Sequence, residues 1–258
     1  MTYEFSKLEK KEHLWIVTLN RPERMNALHS PAHKELHDIF NNFHSDDEAW
    51  VAIVTGEGDR AFSAGNDLRY QAEGGKMENM SSGFAGLTSR YDLNKPIIAA
   101  VNGVAMGGGF EIALACDLII ASENATFALP EPKVGLAALA GGMHRLPRQI
   151  GLKRAMGMML TGRVVSSTEG KDLGFVNDVV SQNELLERAE EWARMIMECS
   201  PVSIRTTKSV ALEGLNYSGI EEAMSQKYDS VSTLFKSEDF IEGPLAFSEK
   251  RKPDWKGK

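Results

Sequence analysis

The chain has 258 residues, enough for one large domain or a domain with an appendage, and enough to bury a substantial core. Its 42% hydrophobic and 25% charged content is that of a globular protein. The formal charge of −7 argues against a general nucleic-acid binder, which needs a basic surface, but leaves room for a local basic patch.

In chain order, residues 13–20 (HLWIVTLN) read as a strand, stopped by Arg21-Pro22. Ser30-Pro31 opens a helix with Ser30 as N-cap, and Leu36, Ile39, Phe40 and Phe43 keep helical spacing along it. Residues 50–55 (WVAIVT) form a continuous apolar run, as expected of a strand buried on both faces. After 60–68 (RAFSAGNDL) comes a polar stretch, 71–94, without clear periodicity until its end, expected to be a mobile flap. Residues 96–102 (PIIAAVN) predict a strand, 107–115 a helix and 117–121 (DLIIA) a strand. This alternation implies crossover units and a mostly parallel sheet. Beyond about Gly151 the pattern becomes helical, over 153–161, 183–198, 202–212, 220–235 and 238–249.

Cys116 and Cys199 give no disulfide framework, and Cys116, inside an apolar run, reads as a small buried hydrophobe. The opening MTYEFSKLEKKEH has no apolar segment of signal-peptide type, and runs such as 96–101 are far too short to span a bilayer. The expectation is a cytoplasmic protein with no membrane partner. His29, His33 and His37 recur at one-turn spacing on a helix expected to be exposed. No other His/Cys grouping has ligand spacing, so no metal is expected.

The stretch NGVAMGGGFEIALACD carries the chemistry. Gly107-Gly108-Gly109 at a strand-to-helix junction permits positive φ and close approach of a ligand. The first N–H groups of the helix, unpaired and at the positive end of its dipole, suit a phosphate or an oxyanion. A tight, closely packed turn reads equally well at this point. The spacing G-x-x-x-G-G-G is not that of a dinucleotide fold, and no Gly-Lys-Ser/Thr follows. Glu111 sits in the first turn of that helix among apolar residues, which would raise its pKa toward the working range; Glu131 stands between Pro130 and Pro132. Each acid alone reads as structural, yet two such acids can divide general acid and base roles.

These segments resemble the enoyl-CoA hydratase/isomerase (crotonase) superfamily over nearly the whole chain. The landmarks are RPERMNAL (21–28), AFSAGNDL (61–68), KPIIAAVNGVAMGGGFEIALACD (95–117), FALPEPKVGL (127–136), GGMHRLPRQIG (141–151) and LTGRVVSSTEGKDLGFVNDVV (160–180). The tail EGPLAFSEKRKPDWKGK is similar to that of bacterial hydratases, crotonobetainyl-CoA hydratases among them. The resemblance implies an α/β crotonase (ClpP-like) spiral of ββα units over 1–195, then a helical oligomerisation region over 196–258, assembled as a homotrimer or a dimer of trimers.

It also implies a hydro-lyase that adds water reversibly to a 2-enoyl-CoA and uses no cofactor, since coenzyme A belongs to the substrate. Glu111 and Glu131 match the two catalytic acids, and the backbone N–H groups of Asn66 and Gly108 match the oxyanion hole. Arg24, Ala27, Ala64, Asp67 and Leu68 match positions beside substrate or CoA, although Asp67 also reads as the cap of the following helix. Phe247 and Lys250 match positions that touch CoA across a subunit boundary. His144 is expected to be structural. One departure is LAALAGG (136–142), where Ala138 and Leu139 stand in place of a Pro-Gly-Ala-type turn and make the acyl side of the site more apolar. The rival readings are a one-glutamate enoyl-CoA isomerase and a non-catalytic scaffold or RNA-binding member.

Overall fold

The computed structural model describes residues 3–76, 78 and 80–258. Strand β1 (Ser6–Lys11) runs antiparallel to β2 (Leu14–Leu19), which continues in parallel to β3 (Val51–Gly56), β5 (Ile97–Val101), β7 (Leu118–Ser122) and β10 (Asp178–Val180). The inner strands read as unbroken apolar runs because both faces are covered. On one face, Trp15, Val17, Ala52, Val54, Ile97 and Ala99 join the main core with Leu36, Ile39, Phe40 and Phe43 of α1 (Ser30–Ser45). On the other, Leu14, Ile16, Val51, Ile53, Ile98 and Ile120 pack against Leu185, Ala189 and Ala193 of α7 (Leu185–Met197). The two-residue alternation of a strand sorts these sets.

A second sheet, not foreseen from the sequence, contains β4 (Ala61–Ser63), β6 (Val104–Met106) and β8 (Thr126–Ala128) in parallel, with β9 (Val165–Ser166) antiparallel at its edge. Its strands have only two or three residues, too few to show a period. The chain leaves the large sheet after β3, β5 and β7, and each time enters the small one through β4, β6 and β8. A helix follows each pair: α2 (Leu68–Ala72), α3 (Gly108–Ala115) and, after a 3-10 turn, α4 (Gly142–Ile150). Three successive ββα turns therefore stack side by side. The fold is the crotonase-type α/β spiral expected.

Helices α5 (Leu152–Thr161), α6 (Ser167–Leu173), α8 (Pro201–Gly214), α9 (Ile220–Met224), α10 (Asp229–Leu234) and α11 (Glu238–Glu249) complete the chain. The single helix expected over 220–235 is two, because Ser225 and Gln226 side chains donate to Glu222 O and the Tyr228 hydroxyl to Ala223 O, giving the chain a local alternative to the helix. Ser30 is not an N-cap either. The helix starts at Ser30, whose hydroxyl donates to Lys76 O and accepts from the Glu78 N–H at 3.1 Å.

The histidine spacing has a structural meaning that corrects the exposed face expected for it. His29 and His33 are buried and His37 is half-buried. The Ala85 N–H donates to His33 Nδ1 at 2.9 Å, and His37 Nδ1 lies 2.7 Å from Ser82 Oγ. Gly86, at φ +67, presses its α-carbon on α1 so closely that an added Cβ would stand 2.5 Å from the His37 nitrogen. Residues 82–93 are thus not a loose flap: Ala85, Leu87 and Leu93 belong to the core.

Candidate active site

Neighbouring parallel strands deliver the site's groups at their carboxyl ends, where open α/β sheets place ligands. Beyond β4 the chain turns through Gly65 into Asn66, beyond β6 it passes Gly107 into α3, and beyond β8 it reaches Glu131. Gly65 has φ +88, and an added Cβ would lie 2.7 Å from Met106 O and 2.8 Å from Gly108 N. The two loops are therefore in contact, and only glycine fits. Gly107, at φ +55, ties this junction to β8 through its N–H and Ala128 O, 2.9 Å apart. The N–H groups of Asn66 and Gly108 have no acceptor among the described residues, which leaves two adjacent donors free.

Glu111, 4% exposed, sits in the first turn of α3. Its Oε1 accepts from the Gly142 N–H at 2.8 Å, at the start of α4. Burial pushes its pKa up to about 7, and the charge of Glu131 adds to this. The Gly142 and Ala140 backbone and the Arg145 charge work against it without prevailing. Glu131 is held in a 3-10 turn, Glu131–Val134, between two prolines that limit its backbone freedom. Its Oε1 stands 3.2 Å from where a Gly107 Cβ would be, and its Oε2 is buried without a partner among the described residues. Burial raises its pKa as well. Two carboxyls of raised pKa thus flank the start of α3, beside two free amide donors.

A second cluster forms where loop 24–28 runs beside loop 63–67. The Ala64 N–H donates to Met25 O at 2.9 Å, Leu28 N–H to Gly65 O at 2.8 Å and Asp67 N–H to Leu28 O at 2.9 Å. Arg24, Ala27, Ala64, Asn66, Asp67 and Leu68 are therefore brought together, with Arg24 and Leu68 exposed and Ala27 buried. Asp67 is turned inward. Its Oδ1 accepts from the Tyr70 N–H at 3.1 Å, capping α2, and its Oδ2 from Arg21 at 3.0 Å. Burial opposes its ionisation, but the Tyr70 N–H and Arg21 outweigh burial and lower its pKa. Both oxygens are engaged, so its place is in supporting the loop. Phe247 on α11, 87% exposed, and Lys250, which caps the end of that helix, share no hydrogen bond or ion pair with this cluster among the described residues. His144 is exposed on α4.

Several contributors were not singled out from the sequence. Gly142 fixes Glu111; Arg145 bonds Thr88 O at 2.8 Å and Ala140 O, joining the loop before α4 to residues 82–93. Arg21 anchors Asp67, and the ring of Phe84 lies over Gly108, where an added Cβ would meet Cε1 at 2.6 Å. The paired glycines 141–142 were the only visible signal, and they name no partner.

The comparisons agree with this fold. The family model described as enoyl-CoA hydratase/isomerase matches residues 9–258. Carnitinyl-CoA dehydratase of Escherichia coli is 45% identical over 251 residues, covering 94% of each chain, and that of Salmonella enteritidis is 44% identical over 252 residues, also covering 94% of each. The crystal structure of an enoyl-CoA hydratase from Mycobacterium tuberculosis superposes with a TM-score of 0.92 at 34% identity, covering 98% of this chain and 99% of that one. An enoyl-CoA hydratase from Bacillus anthracis gives 0.90 at 33%, covering 99% and 100%. From its landmarks, its two-sheet spiral and these relatives, the chain belongs to the enoyl-CoA hydratase/isomerase family.

Proposed function

We propose that this protein is an enoyl-CoA hydratase, acting in reverse as a 3-hydroxyacyl-CoA dehydratase, with Glu111 and Glu131 as its acid–base pair. The observation that carries the reading is the meeting of a buried and a half-buried carboxyl, both of raised pKa, with two free backbone donors. The thioester oxygen takes the N–H groups of Asn66 and Gly108. Glu111 accepts a proton from water as its oxygen bonds to Cβ, and the double-bond electrons move onto the thioester oxygen as an enolate. Glu131 then protonates Cα and the carbonyl re-forms. The amides stabilise charge where it develops, an effect worth about 3–4 kcal/mol per donor in comparable sites. The steps balance with acid–base groups alone and call for no cofactor.

The names of the curated relatives support crotonobetainyl-CoA as the acyl substrate. Arg24, Ala27, Ala64 and Leu68 line up as the CoA side of the site, with Asp67 beneath them. Phe247 and Lys250 would reach CoA only from a neighbouring subunit. Beyond residue 195 we read an oligomerisation region for a homotrimer or a dimer of trimers, supported by exposed apolar side chains such as Leu215, Ile220, Met224 and Ile241. A stable monomer in light scattering at micromolar concentration would refute it. A cytoplasmic location fits an acyl-CoA substrate and two unpaired cysteines; no helix among the described residues is long and apolar enough to cross a membrane.

Hydration is tested by the ultraviolet loss of the conjugated enoyl thioester, with labelled water to detect oxygen entering the product. Glu131→Gln should lose about 10²–10⁴ in rate and lose Cα exchange in deuterated water with a saturated acyl-CoA. Glu111→Gln should lose hydration similarly but keep slow exchange. The opposite exchange pattern would reverse the two roles, and double-bond movement without oxygen uptake would replace hydratase by isomerase.

A further inference from the structure

We propose that Glu78 selects an acyl tail bearing a fixed positive charge, a quaternary ammonium, in the cavity beyond the two acids. This rests on the hydratase reading above and adds a residue that chooses the substrate. A cavity of about 340 Å³ is lined by His33, Glu78, Met80, Phe84, Leu139 and Ala140, with Gly83, Thr88 and Ser89 completing the wall. It falls in the size range of small-ligand sites. Phe84 joins it to the site on one side, since its ring packs on Gly108. Ala140 joins it on the other, just before Gly142, the residue that holds Glu111. With the thioester oxygen at Asn66 and Gly108 and Cβ beside Glu111, the tail beyond Cβ runs toward this space.

The walls carry one charge. Among the described residues Glu78 has no ion-pair partner, and its backbone is pinned by the Ser30 hydroxyl at the start of α1. Arg145 is bonded to the carbonyls of Thr88 and Ala140 and does not line the cavity. His33 adds no positive charge. Its Nδ1 accepts from the Ala85 N–H, so the proton sits on Nε2, and burial lowers its pKa to about 4. The remaining surface is uncharged: the Phe84 ring, the Met80 thioether, Leu139 and Ala140, with Thr88 and Ser89 beside them. Glu78 is exposed at the mouth of this space, and a carboxylate near an aromatic face, with no other charge on the walls, suits a quaternary ammonium, which has no N–H to satisfy and is attracted to both. An anionic tail would meet repulsion, and a neutral tail would gain nothing from Glu78.

The test compares two enoyl-CoA substrates of the same shape: crotonobetainyl-CoA and its carbon isostere, 5,5-dimethylhex-2-enoyl-CoA. The readout is the ratio of their kcat/KM values. In the unmodified protein the charged substrate should be favoured by about three- to fivefold, as expected of one ion pair with an exposed carboxylate. Glu78→Gln should bring the ratio to about one, and Glu78→Lys should invert it, with circular dichroism confirming an unchanged fold. A preference that survives Glu78→Gln overturns the assignment, and so does an unmodified protein that hydrates both substrates equally, although the hydratase reading then stands. Failure to hydrate either of these and crotonyl-CoA would sink the hydratase reading and this assignment with it.

Discussion

Replacing Glu111 by Gln should inactivate the protein and stabilise it, and the stabilisation should depend on pH. The carboxyl is held at about 7 in the folded chain, against an ordinary 4.5. A carboxyl raised in this way is neutral in both states below the ordinary value, so folding loses nothing there. As pH rises from 4.5 through about 7 the unfolded chain ionises first, and stability is lost. At about 1.4 kcal/mol for each pH unit between the two values, the full cost approaches about 3 kcal/mol near pH 8, falls to about 1 kcal/mol near pH 5 and vanishes near pH 4. Gln keeps an oxygen for the Gly142 N–H and has no charge to desolvate, so it should recover most of this cost. For a chain of this length that corresponds to a rise in Tm of about 5–10 °C at pH 8. Paired calorimetric scans of both proteins at pH 5 and pH 8 read the effect, alongside the loss of hydration. A Tm gain equal at the two pH values, or a loss at pH 8, would show that Glu111 is not a desolvated acid and would remove the basis of its assigned role.

Because Glu111 must be ionised to accept a proton from water while Glu131 must hold the proton it gives to Cα, kcat/KM for hydration should rise with pH through about 7 as Glu111 ionises and fall again as Glu131 loses its proton; a profile flat from about pH 5 to about pH 9 would contradict this. Gly65→Ala should lower kcat by about 10²–10³ by pushing the Asn66 and Gly108 donors apart, as measured by hydration kinetics on protein whose fold is confirmed by circular dichroism. Asp67→Ala removes the cap of α2 and leaves Arg21 without its partner; a loss of about 2–4 kcal/mol in denaturant unfolding is expected, with Cα exchange retained because both glutamates remain.

Four strands of the large sheet, β2, β3, β5 and β7, were legible because they are five or six residues long and mostly apolar, whereas the charged β1 and the three-residue β10 at its edges were not; the helical last third was legible because its periodicity persists over several turns. The small sheet was not. Ala61–Ser63, Val104–Met106 and Thr126–Ala128 are each shorter than two periods of a strand, and each forms only through its neighbours. At the site, the sequence offered Glu111, Glu131 and the glycines by type and by resemblance, but not the amide of Gly142 that holds Glu111 or the Arg21–Asp67 pair. These contacts join residues 31 and 46 positions apart, and no local pattern encodes them. The histidines at 29, 33 and 37 mark the opposite limit. Their spacing was plain, yet what they face, Phe5 and Tyr70 for His29 and residues 82–93 for His33 and His37, could be found only in three dimensions.

The turns of the spiral also separate what the protein does from what it does it to. Asn66, Gly108 and Glu131 leave the ends of β4, β6 and β8, strands that in a sheet lie about 4.8 Å apart, so the spacing of the proposed reacting groups is set by backbone hydrogen bonding. The cavity beyond them is walled instead by His33, Glu78, Met80 and residues 83–84, 88–89 and 139–140, which belong to neither sheet. A mutation in those walls can change which acyl group fits while leaving that spacing intact. Within such a lineage, new substrates can be acquired one loop residue at a time, with the reaction inherited unchanged.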